Sequence, residues 1–296
     1  MGCEVRMRLD NTTKPWVGLY HSQKCQAVRE KIKNAFSDLQ FDEGPHIYTL
    51  YGEQIPSVSS VVDLFVEPFD AEKKAYGCWK KGHNDPTSKY YGMSVDEIVK
   101  SWEDNSRNST EQGTIAHAFA ESCMYYMVGE YDGILPEHKD RLVDGKFVVG
   151  EGFEQAVAQF FIDMPNEYVP ILSEARVYAK CGREKAVYAG TFDLLVYAFL
   201  PNRECLIMYD YKTNGDLYKN FMGKKMLNGL EFLLDSPKNH YEVQQGAYEN
   251  ALNEIGLTLA GKRLVWIKPG GEYELVRLNE RVIPIVIKKL LKKWLI

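Results

Sequence analysis

Two apolar runs, "AVYAGTFDLLVYAF" (186–199) and "CLIMYDYK" (205–212), are separated only by "LPNRE". That spacing constrains the fold more than any other feature of the chain. Both runs are rich in β-branched and aromatic residues and the join is made of turn formers, so an antiparallel hairpin is expected. A third run, "ILSEARVYA" (171–179), precedes them, and "KRLVWIKP" and "EYELVRL" follow around Gly270 and Gly271. Helical patterns occur at 25–36, 113–128, 151–163 and 241–254, with pieces near 71–80 and 95–103. In "HIYTLYGEQIPS" Gly52 suits a hairpin turn, and Ser57 after Pro56 caps the helix "VSSVVDLF". The expected fold class is α/β, a mixed central sheet flanked by helices.

No internal repeat, low-complexity tract or linker interrupts the sequence, so one domain is expected over 1–296. Within it, 1–40 reads as peripheral, 64–112 as a helical insertion, 113–278 as the core, and 284–296 as a basic amphipathic helix. The 296 residues, 45% hydrophobic and 26% charged, are enough for a substantial core. No apolar run approaches the roughly 20 residues that span a bilayer, and "MGCEVRMRLD" lacks a signal-peptide core. The expectation is a chain without a membrane partner, located in the cytoplasm, or in the host cytoplasm if it is viral. The six cysteines are scattered without a close pair, which argues against a zinc or iron–sulfur site and for reduced thiols.

Side chains on a strand alternate, so Leu206, Met208, Asp210 and Lys212 share one face while Ile207, Tyr209 and Tyr211 share the other. Counting back from the "PN" turn sets Asp193 level with Asp210 across the hairpin. Two buried carboxylates at such a distance repel, and a divalent cation relieves the repulsion; carboxylate oxygens with retained waters suit Mg²⁺. Lys212 has two readings, as a salt-bridge partner of Asp210 or as the group that orients a water. In "GTIAHAFAESCMYY" His117 and Glu121 share a helical face, and in "VQQGAYEN" so do Gln244 and Tyr248. Tyr211 points away from Asp210, which leaves its backbone carbonyl as the available ligand.

The order G-T-x-x-H, G-T-x-D, D-x-K and Q-x-x-x-Y resembles the RecB-like branch of the PD-(D/E)XK nuclease superfamily, which includes viral exonucleases and the mitochondrial genome maintenance exonuclease. The likeness covers roughly residues 46–255. It implies a restriction-endonuclease-like core and a metal held by His117, Asp193, Asp210 and the Tyr211 carbonyl. Lys212 would be the signature lysine and Glu174 the acidic residue ahead of the site. Two alternatives stay open: Glu174 as a partner of Arg176 or Arg183, and Glu121 as a support for His117. Iron–sulfur members carry a cysteine trio near the C-terminus; no cysteine follows Cys205, so no cluster is expected.

The implied activity is hydrolysis of DNA phosphodiesters with Mg²⁺, for which Mn²⁺ can substitute. An exonuclease acting on single-stranded ends in replication, repair or recombination is expected first. An endonuclease of the same fold and a non-catalytic DNA-binding module are the alternatives, and the intact Asp193, Asp210 and Lys212 speak against the module. The net charge of −5 does not exclude DNA, because acidic ligands lower the sum while basic clusters act locally. Contacts to the strand are expected from Gln244, Tyr248, Ser57, Ser59, Lys219, Lys224 and Lys225, with Trp79, Tyr90 and Tyr91 stacking on bases. The polar, aromatic stretch before the His117 helix reads as an arch for a threaded strand, or as a surface insertion without a role. Protein partners, polarity and strand preference are not encoded in these patterns.

Overall fold

The computed structural model describes residues 7–278 and 285–289. The described residues open with β1 (Arg8–Leu9), α1 (Trp16–Tyr20) and α2 (Gln23–Ala35). Ser22 starts α2 by accepting the Cys25 N–H at 3.4 Å, the capping use of a short hydroxyl side chain. Next come β2 (Leu39–Asp42), β3 (Ile47–Leu50) and β4 (Glu53–Ile55), a small antiparallel sheet in the order β2-β3-β4. Its second turn places Tyr51 and Gly52 at φ +52° and +80°. Both central residues are left-handed, as a tight hairpin requires. Ser57 then caps α3 (Val58–Val62) through the Ser60 N–H, as its position after Pro56 predicts.

Two compact units emerge: one holds the chain to Val66 and from Ala116 onward, the other Glu67–Ile115. The second contains α4 (Ala71–Gly82) and the start of α5 (Val95–Val128). The sequence pattern predicts separate helices at 95–103 and 113–128, whereas α5 runs unbroken for 34 residues. The bridging stretch "DNSRNSTEQ" has no apolar period, so a hydrophobic pattern stops there. It also has no Gly or Pro to break the helix. A capping box starts α5: Glu97 accepts the Ser94 N–H at 2.7 Å, and Ser94 Oγ accepts the Glu97 N–H at 3.2 Å.

Beyond α5 lie β5 (Leu142–Val143), β6 (Lys146–Val148), α6 (Phe153–Asp163), β7 (Tyr168–Ala179), β8 (Tyr188–Leu200), β9 (Arg203–Lys212), α7 (Pro237–Glu254), β10 (Leu259–Ile267) and β11 (Tyr273–Arg277). The short strands β1, β2, β5 and β6 have no counterpart in the sequence reading; two to four residues are too few to show alternation. The main sheet has the order β11-β10-β9-β8-β7. β7, β8 and β9 are successively antiparallel, with Leu200 opposite Arg203 across Pro201 and Asn202. The α7 crossover makes β9 and β10 parallel, and β11 returns antiparallel. The sheet is thus mixed, and the described residues form an α/β fold with no barrel among them.

α7 packs on β7 and β8, and α6 on β10 and β11. The core between them includes Phe160, Phe161, Phe192, Leu194, Val196, Met208 and Val265, all at most 2% exposed. Residues 285–289 are helical; the rest of the expected basic C-terminal helix lies outside the described residues. No helix among the described residues is long and apolar enough to cross a membrane.

Candidate active site

Strand register alone brings three carboxylates into a row. β7 and β8 pair Ser173 with Leu194 and Ala175 with Phe192, which sets Glu174 opposite Asp193. β8 and β9 pair from Leu194 and Tyr209 onward, so the next step sets Asp193 opposite Asp210. Residues directly opposite on neighbouring strands project to the same face. Neither step carries a backbone ladder pair. Glu174 sits at φ +49°, a left-handed conformation that costs a non-glycine residue roughly 1–3 kcal/mol. Asp193 takes the place of a ladder carbonyl, its Oδ2 accepting the Tyr211 N–H at 2.6 Å. The sheet is therefore open at the level where its acids converge.

α5 delivers His117 onto this row. Its Nδ1 lies 3.6 Å from Glu174 Oε1 and 3.5 Å from Asp193 Oδ2. Its Nε2 lies 3.0 Å from the Tyr211 carbonyl oxygen, to which it donates when protonated. Burial works against the imidazolium, but Asp193 and the Glu174 hydrogen bond outweigh it and raise the pKa of His117 to about 9. Burial also pushes Asp193 upward, against His117 and Lys212.

Asp210 and Lys212 form an ion pair with side chains 1% and 13% exposed. Burial and then the Asp193 charge push Asp210 up to about 6, against the pull of Lys212. For Lys212, burial favours the neutral amine, yet Asp210 and Asp193 prevail and raise its pKa. The lysine also lies 4.7 Å from the centre of the Tyr241 ring, and Tyr241 is fixed by a 2.7 Å hydrogen bond to Asn214. Asp210 Oδ2 is held by that lysine, while its buried Oδ1 has no hydrogen bond. A buried carboxylate left so is costly.

One imidazole nitrogen and the carboxylate oxygens of Glu174 and Asp193 lie within 4.8 Å of one another, a set able to hold a metal ion. Oxygen donors with one nitrogen suit a hard divalent cation, and Asp210 Oδ1, buried without a hydrogen bond, adjoins the set. Of the ligands read from sequence, His117 and Asp193 belong to this set. Asp210 stands outside it, paired with Lys212, and the Tyr211 carbonyl is engaged by His117. Glu174 joins the set directly: its ion-pair partner is His117, while Arg176 pairs with Glu43. Glu121 makes no ion pair among the described residues. Burial, followed by the Glu174 charge, raises it to about 7.

The remaining expectations distribute differently. Gln244 donates to the Tyr248 hydroxyl at 3.2 Å, and Tyr248 is buried against Gly190, where a Cβ would meet its ring at 2.6 Å. That contact explains the glycine of "AGTFD". Ser57 is the cap of α3 and Ser59 is exposed on its first turn. Lys219 and Lys225 are exposed, while Lys224 pairs with Asp235 at 3.0 Å. In the smaller unit Trp79 stacks on His83 at 4.1 Å, and Tyr90 accepts the Trp102 indole N–H. Of the three rings expected to stack on bases, Tyr91 is exposed and Trp79 and Tyr90 are partly buried. Sequence reasoning missed Tyr241, although its spacing from Gln244 and Tyr248 sets it on the same helical face.

No family model matches this chain, and no curated protein matches it.

Proposed function

We propose that this protein is a metal-dependent deoxyribonuclease of the RecB-like PD-(D/E)XK type, built on a restriction-endonuclease-like core and acting as an exonuclease on single-stranded or end-containing DNA. The observation that carries the reading is the row Glu174, Asp193 and Asp210 across three adjacent strands, with His117 above it and Lys212 beside it. Glu174, Asp193 and His117 Nδ1 would hold the ion, with Asp210 adjoining. Mg²⁺, or Mn²⁺ in its place, supplies Lewis acidity toward a phosphoryl oxygen and a more acidic water.

The chain's own residues do the rest. Lys212 presents a buried ammonium held by Asp210 and the Tyr241 ring, fit to offset the charge that develops on a pentavalent phosphate. To serve as a ligand, His117 Nδ1 would have to be unprotonated, with the Nε2–H kept on the Tyr211 carbonyl to fix the ring. The described cysteines are free thiols, which suits a reducing compartment, and we propose the cytoplasm.

Linear single-stranded DNA labelled at its 5′ or 3′ end tests the reading. Cleavage in Mg²⁺ or Mn²⁺ and none in excess EDTA is expected, with one label released as mononucleotides first. Covalently closed single-stranded circles of the same sequence are expected to survive. Turnover in EDTA overturns the proposal, and rapid cutting of the circle replaces exonuclease with endonuclease.

A further inference from the structure

The connection from β9 to α7, residues 213–236, is a built element that exposes apolar side chains. Asn220 Nδ2 donates to the carbonyls of Lys224 and Asp235 at 2.8 and 2.7 Å. Two limbs are tied by the Lys225 to Leu234 bridge and by the Met226 N–H to Leu233 carbonyl bond. Leu227 N–H and Asn228 Nδ2 fasten the segment to the carbonyls of Phe65 and Leu64. At the tip, Met222 and Gly223 take φ +57° and +69°, a turn that a methionine enters only against steric cost.

The tip faces water. Met222 is 86% exposed, Phe221 68%, Phe232 57% and Tyr218 53%. Apolar surface concentrated on a rigid support marks a contact for something outside the chain. The local charge points to the chemistry. Residues 213–236 hold three acids and three lysines, but the lysines, Lys219, Lys224 and Lys225, all lie in the tip sequence "KNFMGKK" (219–225), which has no acid. Lys224 pairs with Asp235, whereas Lys219 and Lys225 have no ion pair among the described residues, so the tip presents aromatic and thioether surface flanked by ammonium groups. The segment also begins immediately after Lys212, and its Asn214 holds Tyr241 over that lysine.

We infer that residues 213–236 form the base-stacking surface for an unpaired nucleic-acid strand, with Phe221 and Met222 against the bases and Lys219 and Lys225 on the phosphates. The inference rests on the nuclease reading and relocates base stacking away from Trp79 and Tyr90, whose rings are engaged within their own unit. Stacking is sequence-tolerant because every base has a π face.

Binding of a fluorescent oligothymidylate, and of an equally long oligomer of abasic sugars, is measured in Ca²⁺ by anisotropy; cleavage of the thymidylate is followed in Mg²⁺. Wild type is expected to prefer the oligomer with bases. Phe221→Ala with Met222→Ala is expected to bind it about tenfold more weakly, to bind the abasic oligomer unchanged, and to raise KM while kcat holds. Lys219→Ala with Lys225→Ala is expected to weaken both oligomers alike and to reduce the salt dependence. Because these side chains are exposed, both variants are expected to melt like wild type.

Cleavage by wild type with unaltered thymidylate binding by the apolar variant overturns the inference and leaves the nuclease reading standing. Failure of wild type to cleave in Mg²⁺ or Mn²⁺ removes the nuclease reading itself. Conversion of a wild-type dimer to monomer by the apolar variant, with DNA binding intact, assigns the patch to self-association and likewise overturns the inference.

Discussion

The same sheet buries two lysine–carboxylate pairs, and they differ in what surrounds them. On β10, Lys262 pairs with Glu249 of α7, with side chains 1% and 12% exposed. That pair is one charge against one, set against Met208 in the strand register. On β9, Lys212 pairs with Asp210, but Asp193, Glu174 and His117 crowd the same region and Asp210 Oδ1 is buried without a hydrogen bond. A balanced pair is a structural device. Three acids set against Lys212 and His117, with Glu174 on left-handed backbone, leave a surplus that a bound cation would balance.

The largest expected difference is in turnover. Asp193→Ala, Asp210→Ala and Lys212→Ala are each expected to abolish detectable Mg²⁺-dependent cleavage while the far-UV spectrum and a cooperative melt are kept. Glu249→Gln is expected to leave kcat unchanged. Substantial activity in Asp210→Ala would erase the distinction between the two pairs.

Stability is expected to divide them the other way. Removing one member of a buried pair leaves the other charge uncompensated, at about 3–5 kcal/mol. Lys262→Ala is therefore expected to lower the denaturation midpoint sharply and leave kcat below the transition intact. Asp210→Ala removes a carboxyl oxygen without a hydrogen bond and leaves Lys212 facing the Asp193 charge, so it is expected to cost less. Equal losses in urea titrations would show that both pairs are structural.

Metal binding should act at one pair alone. Saturating Mg²⁺ or Mn²⁺ is expected to raise the melting temperature of wild type and of Glu249→Gln, by the linkage that gives about 2.7 kcal/mol at a hundredfold excess over Kd. Asp193→Ala is expected to show no such rise. A rise of the same size in Asp193→Ala would place the ion elsewhere.

The sequence made half of this arrangement legible. The "PN" turn and the alternation of "CLIMYDYK" fix the register of β8 on β9, so the level of Asp193 with Asp210 follows from counting. Glu174 could not be reached in that way. The connection from β7 to β8 is longer, and β7 carries a bulge between Pro170 and Leu172 that shifts its register. Its left-handed backbone also has no signature in a glutamate. His117 was visible only by its motif, since a helix face says nothing about which sheet residues it meets. The exposed tip of 213–236 was hidden for a different reason: Phe221, Met222 and Phe232 follow no helical or strand period, and apolar residue type alone does not tell exposure.

The smallest expected effect is a pH dependence confined to the acid-rich pair in metal-free protein. His117 is raised from 6.5 to about 9 in the folded state, chiefly by Asp193 once burial is overcome. Its contribution to stability is fully present below pH 6.5 and is lost as the pH rises through about 9. Asp210, raised to about 6, adds a loss in the same direction at lower pH, because the folded site resists its ionisation. In EDTA, wild type is therefore expected to melt several degrees lower at pH 9 than at pH 6.5. His117→Ala is expected to flatten that slope and Glu249→Gln to preserve it. Saturating Mn²⁺ is expected to reverse the slope, since ligation requires the unprotonated Nδ1 and gains as the proton leaves. A His117→Ala melt that falls as steeply as wild type between the two pH values would remove the imidazole from the charge balance of the site.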